Sequence, residues 1–431
     1  MGTTLAKTAE RCGWDLSAPA RRASFSELWQ WPLDRLALTL AFAAVPISIA
    51  ASEIFLALGL IARIIYTHRT GQKLRLPWAF RVWLLFAALV LISWVASPDR
   101  AAGWSEIRRL FLVASLFYVM PALQAPGARL AAWRGIFLAS GLASVFLIGD
   151  FIGRLVHYQP ELSVGGSVGL YLRTGGLLNH WMVYATVEII VVAGLIAFWT
   201  SYPEYRKRFA PILFLNAAAV ALSLTRTAWL VCFVLVVVEL VWRRSKWVWL
   251  APALPVFFYL LAPSPVRTRI DESIDPDYYS NQERVQMLRV GWQLIRENPV
   301  TGVGAGRIAE FYRGQLRPGE PVPAYFGHLH NNVVQMAATQ GVPVALAALL
   351  VAASLLVSLL RVQCKAESRE IQFASRAGVL ALVGFCVAGM FEYTYGHSLP
   401  LILLSFAVIA PLVSISTAAE GPHPERSADS V

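Results

Sequence analysis

Two histidines, His328 and His330, are followed by Asn331-Asn332 and then by an apolar run from Val333. An imidazole is near neutral at ambient pH and can accept a proton, as a general base must. The plainer reading is a pair of interfacial histidines that satisfy backbone groups. Arg226 is the second candidate, in Ser223-Leu224-Thr225-Arg226-Thr227-Ala228-Trp229, between two apolar runs with almost no loop. A charge that deep is costly and marks function by default. Its fork of donors suits phosphate oxygens, although an arginine can also snorkel to an interface. Arg173, ahead of Gly175-Gly176 and Asn179-His180, and Arg284 would add further cations. Taken singly, each reads as a solvated arginine.

Other residues carry weaker signals. Gly302-Val303-Gly304-Ala305-Gly306 looks like a phosphate loop, but no strand is expected before it and no GK[ST] follows. A tight turn after Pro299 is the better reading, with backbone amides such as that of Gly304 near a substrate. Asp271 to Asp277 contains Asp275-Pro276-Asp277, which reads as a solvated loop rather than a metal-binding carboxylate pair. Glu53 could serve as a base, and Glu188 as a polar contact between helices or part of a proton path. Cys12, Cys232, Cys364 and Cys386 lack metal-ligand spacing, so no metal site is expected.

These residues need elements to hold them, and the composition says which kind. Of 431 residues, 57% are hydrophobic and 15% charged, with a mean hydropathy of +0.56. A soluble domain has about 25% charged residues, so a soluble globular enzyme is excluded. About twelve apolar segments are long enough to read as spans. They centre on 36–51, 53–67, 78–97, 107–122, 133–151, 177–200, 209–224, 226–242, 247–262, 332–360, 377–391 and 398–416. The net charge of +11 would suggest nucleic acid in a soluble protein. With a cytoplasmic N-terminus, however, 23 of the 37 Lys and Arg fall inside, including every short basic cluster. The excess is therefore a topology signal, and no nucleic acid is expected as a partner.

The expected organisation is all-α: a polytopic membrane protein with about twelve transmembrane helices and one large, mostly helical outer loop. A cytoplasmic tail (1–33) precedes nine spans (34–262), then the outer loop (263–330), three spans (331–417) and a second cytoplasmic tail (418–431). Within the loop, Gln282–Glu297 reads as an amphipathic helix with Val285, Leu288, Gly291, Trp292 and Ile295 on one face, stopped by Asn298-Pro299.

The motifs together resemble the O-antigen ligase/polymerase family of bacterial inner-membrane glycosyltransferases. His330-Asn331 is followed after nine residues by Gly341; where the family has a small residue or Tyr three positions later, this chain has Val344. Ser223/Thr225-Arg226 leads into Ala228-Trp229. Arg284 precedes Asn298-Pro299-Val300-Thr301-Gly302-Val303-Gly304, similar to the family's Pro-Leu-x-Gly-Val-Gly stretch. Arg173 ahead of Gly176 and Asn179-His180 is a weaker match. The resemblance covers roughly residues 160–400.

The resemblance implies a GT-C-like inverting glycosyltransferase in the bacterial inner membrane, its active site facing the periplasm, with no metal and no cofactor. Its partners would be an undecaprenyl-diphosphate-linked polysaccharide, lipid A–core and inner-membrane lipids. His330 would be the general base, and Arg226 and Arg284 catalytic and diphosphate-binding, with Arg173 a third. His328, Asn331, His180 and Gly304 would support them. Three functions compete within the family: O-antigen ligase, O-antigen polymerase and protein O-oligosaccharyltransferase. The ligase is favoured, because there is one sizeable outer loop and the tail after residue 417 is too short for an added soluble region. A transporter or flippase of lipid-linked sugars is the rival from another class.

Overall fold

The computed structural model describes residues 32–71, 76–158, 171–323 and 325–413, and among these there are helices and turns but no strand. Apart from Pro32 and Leu33, the two expected tails lie outside the described residues. The helices are α1 (Leu33–Ala44), α2 (Ile49–Thr70), α3 (Trp78–Ala96), α4 (Trp104–Val119), α5 (Ala128–Val156), α6 (Trp181–Ser201), α7 (Arg206–Leu222), α8 (Arg226–Trp242), α9 (Ala253–Leu261), α10 (Ser264–Ile274), α11 (Tyr279–Glu297), α12 (Ile308–Tyr312), α13 (Asn332–Gln340), α14 (Val342–Lys365), α15 (Arg369–Ala388) and α16 (Ser398–Ile409).

Six of them, α2, α3, α5, α6, α14 and α15, are long and apolar enough to cross a bilayer. At 1.5 Å per residue, the 21 residues of α6 reach about 30 Å, the thickness of a hydrocarbon core. The other apolar segments form shorter helices. The segment expected at 247–262 divides into a 3-10 turn, Lys246–Leu250, and the nine-residue α9. The run expected as one span at 332–360 is two helices broken at Gly341.

Burial sorts the helices into layers. Helices α6 and α15 are central, with most of their residues buried. Helix α2 is peripheral and exposes Ile54, Leu58, Ile61 and Ile64. A protein bathed in water rarely exposes so continuous an apolar face; here it is the surface a lipid would cover. Mid-bundle polar groups satisfy one another: the Ser140 hydroxyl lies 2.8 Å from Glu188 Oε1 and also meets Asn216, joining α5, α6 and α7.

Segment 279–331 forms a small second core on α13, built from Met287, Val290, Leu294, Val303, Ile308, Tyr312 and Leu329. This corrects the expected face of α11. Gly291 is buried as expected, but Val285, Leu288 and Trp292 are exposed, and the inward stripe is Met287, Val290, Gly291 and Leu294. Both stripes have helical spacing. Gly291 is common to the two, and there a Cβ would meet Val334 Cγ1 at 2.5 Å and Leu329 Cδ1 at 2.9 Å; the side that α13 and Leu329 cover is the one carrying Met287, Val290 and Leu294.

Candidate active site

The site forms where α8, α11, α13 and the turn after α15 meet. Asn331 starts α13: its Oδ1 accepts from the Val334 amide at 3.0 Å, a side-chain N-cap, while its Nδ2 donates to the Met390 carbonyl at 2.9 Å. His330, just before the cap, has φ +49°. A non-glycine residue in that region is uncommon, and the conformation is accompanied by a contact of His330 Nδ1 with Glu392 Oε2 at 2.7 Å. The other carboxylate oxygen of Glu392 takes Arg284, whose Nη1 also donates to the Phe391 carbonyl at 2.7 Å. The Thr227 hydroxyl approaches that same oxygen within 3.5 Å.

Arg226 is the first residue of α8 and is gripped by the start of α11. Its Nη1 donates to Asn281 Oδ1 at 2.7 Å, its Nη2 to Ser280 Oγ at 3.3 Å, and its guanidinium lies 6.0 Å from the Tyr278 ring centre. One turn further along α11, Arg284 is close enough to repel it. Two guanidinium groups thus lie close together with only one of them paired to a carboxylate, Glu392, an arrangement that favours an anion.

Burial alone would raise the Glu392 carboxyl. The hydrogen bond from His330 and the charge of Arg284 overcome it and hold the group at about 2. An ionised Glu392 can only accept, so this contact requires a proton on His330 Nδ1, and in a neutral imidazole that leaves Nε2 as the acceptor. The His328 ring stands edge-on to His330, centres 4.3 Å apart. Burial, then the charge of His330, pushes His328 down to about 3, so it stays neutral. His180 stacks on Trp181 at 4.8 Å and faces His397 at 6.0 Å; burial lowers His180, and holds His397 down at about 4. Arg173 lies over the other partner of His180, 5.7 Å from the Trp181 ring centre, with a buried Nε that has no partner.

The structure thus joins Arg284 and His330 on Glu392, with Arg226 beside Arg284 and His328 against His330, and sets Arg173 and His180 on Trp181. Gly304 is elsewhere: its amide donates to the Thr339 carbonyl at 2.9 Å, so the glycine-rich turn braces the end of α13. Glu53 is exposed on α2, Glu188 belongs to the mid-bundle network, and Asp275 Oδ1 caps its own turn by accepting from the Asp277 amide. Among the described residues, no group of three or more His, Cys, Asp or Glu is arranged to hold a metal.

Sequence reasoning missed Glu392 and His397. The available signal was an acid at the start of the short stretch Glu392 to His397, between two apolar runs, on the side assigned to His330.

An apolar groove of about 470 Å³ runs among α3, α4, α14, α15 and α16, along Phe86, Leu349, Leu355 and Phe385. It is within the size range of ligand pockets. One end is lined by Asn332, Gly389, Met390 and Tyr395, which flank the Glu392 turn.

A family model described as O-Antigen ligase matches residues 211–349. Over that stretch, about a third of its length, the chain is similar to the O-antigen ligase family. No curated protein matches the chain. The matched O-antigen ligase region contains Arg226, Arg284, the 298–304 turn and His330 through Gly341. Arg173, His180 and Glu392 come from outside it.

Proposed function

We propose that the protein is an O-antigen ligase, transferring polysaccharide from undecaprenyl diphosphate to a lipid A–core sugar hydroxyl at the periplasmic face of the inner membrane. The observation that carries this reading is the Glu392 carboxylate shared between His330 and Arg284. It joins a base to a cation, as an attack on a carbon bearing a diphosphate requires. In the proposed topology the shorter helices complete about twelve spans, 263–330 is periplasmic and both termini are cytoplasmic.

The acceptor oxygen attacks the anomeric carbon while the bond from that carbon to the diphosphate oxygen breaks. The hydroxyl proton goes to His330 Nε2, and Glu392 at Nδ1 steadies the imidazolium that forms. The electron pair leaves with the diphosphate. Arg226 and Arg284, with Arg173 as a third, stabilise that charge in place of a metal. Direct displacement inverts the anomeric configuration. The donor's lipid is joined next to the reacting carbon, whereas core sugars separate the acceptor's acyl chains from its hydroxyl. The groove beside the Glu392 turn therefore suits the undecaprenyl tail.

The test is reconstitution of the purified protein with lipid-linked polysaccharide and lipid A–core. Wild type should make product without an ion gradient and in excess EDTA. His330→Ala should lose at least about a hundredfold in rate, and Glu392→Gln should lose rate with little change in donor binding. Near-normal transfer by folded His330→Ala would overturn the assignment, and extension of the lipid-linked chain in place of transfer to lipid A–core would identify a polymerase.

A further inference from the structure

Glu392 can orient His330 only if the turn that carries it is itself held. One set of holds comes from α13: the Asn332 amide donates to the Gly389 carbonyl at 2.7 Å, and its side chain bonds Thr394 Oγ1 at 2.8 Å and the Tyr395 amide at 3.2 Å. These tie the turn to the helix that follows His330.

A second set comes from α4, about a hundred residues ahead of the family match. The Tyr393 hydroxyl donates to Glu106 Oε1 at 3.1 Å and accepts from Arg109 Nη1 at 3.4 Å. Glu106 and Arg109 are themselves ion-paired, and the Arg109 guanidinium lies 5.9 Å and 5.5 Å from the ring centres of Tyr393 and Tyr395. Glu106 is 5% exposed, and its second oxygen is buried with no partner. Burying an ion pair costs several kcal/mol per ion in desolvation, and well-packed apolar residues often replace such pairs without loss. What apolar packing could not do is fix the direction of a hydroxyl. Tyr393 follows Glu392 directly, and its ring lies 5.8 Å from that of His328, which in turn packs on His330.

We propose that Glu106 and Arg109 are positioning residues, which act through the Tyr393 hydroxyl to fix the Glu392 carboxylate and, with it, the His330 imidazole. The inference rests on reading His330 as the base. It extends the active site to a helix that the family match does not include.

The test compares Tyr393→Phe, Glu106→Gln and the double variant in the reconstituted transfer assay. Tyr393→Phe keeps the ring against His328 and removes only the hydroxyl. Each single variant should lower kcat at least about tenfold, since small misplacements of a reacting group carry losses of that order. KM for donor and acceptor should stay within about twofold, and the double variant should be no slower than the worse single, because both changes break one link. A merely structural contact would reduce the amount of folded protein and leave kcat alone. Single variants with wild-type kcat, a loss confined to KM, or a double loss equal to the product of the singles would overturn the inference. If Glu106→Gln does not fold, Tyr393→Phe decides alone, since it uncovers no charge. Absence of transfer by the wild type would overturn the reading of the site and this inference with it; wild-type transfer with unaffected variants would overturn only this inference.

Discussion

Glu392 divides its two oxygens between the His330 imidazole and the Arg284 guanidinium, and that division shapes how the site responds to acid. The carboxyl is held at about 2 in the fold against an ordinary 4.5, so its contribution to stability is complete above about pH 4.5 and is lost as pH falls toward 2. His328 and His397 are held at about 3 and about 4 against an ordinary 6.5. Their folded forms bind fewer protons than the unfolded chain across that interval, so their contribution is complete above about pH 6.5 and fades as pH drops. Between pH 6.5 and 4.5 the loss therefore comes from histidine and not from Glu392. Thermal unfolding of the solubilised protein should show a midpoint that falls over this window. His328→Gln should flatten the fall, and an unchanged slope in that variant would remove His328 as its source.

At the level of elements, the break between α13 and α14 is what ties two separate motifs together. Gly341 has φ +94°, and a Cβ there would lie 1.9 Å from the Val300 carbonyl oxygen. Gly302 has φ +67°, and a Cβ there would lie 2.3 Å from the Thr339 carbonyl carbon. The 298–304 turn and the end of α13 thus press backbone to backbone, and His330 and Asn331 stand at the other end of the same nine-residue helix. Gly341→Ala should destabilise the protein by about 2 kcal/mol or more, from backbone strain and overpacking, with loss of transfer. Gly314→Ala is the control, since a Cβ there meets nothing within 4 Å. Equal unfolding midpoints for the two variants would contradict this account. The spacing from Asn331 to Gly341 could be read in the chain; the need for glycine at its end could not, because the atom it avoids belongs to Val300, more than thirty residues upstream of Asn331.

For the whole molecule, the charge asymmetry makes a topological claim that biochemistry can check. Arg317 belongs to the segment assigned outside, and Ser245 to a turn assigned inside. In a cysteine-free background, a membrane-impermeant maleimide should label Arg317→Cys in spheroplasts and Ser245→Cys only after permeabilisation. Labelling of both from one side would overturn the orientation. The same experiment bears on the shorter helices. If α9 and its 3-10 turn did not cross, Ser245 and Arg317 would share a compartment.

The amino-acid sequence by itself determined the helical, apolar class of the protein and the direction of its charge bias, and it singled out Arg226, Arg284 and His330 as candidates. Each is local: hydropathy is summed over a window, and the motifs are short and contiguous. Only the tertiary structure decided that Arg284 and His330 meet on Glu392 with Arg226 nearby, that Gly304 braces a helix, and that α11 turns Met287 and Val290 inward. Those outcomes depend on partners far away in the chain. A lone acid in a short turn has no distinguishing neighbours until folding brings an imidazole to one oxygen and a guanidinium to the other, and a helix with two apolar stripes cannot choose between them until another surface arrives.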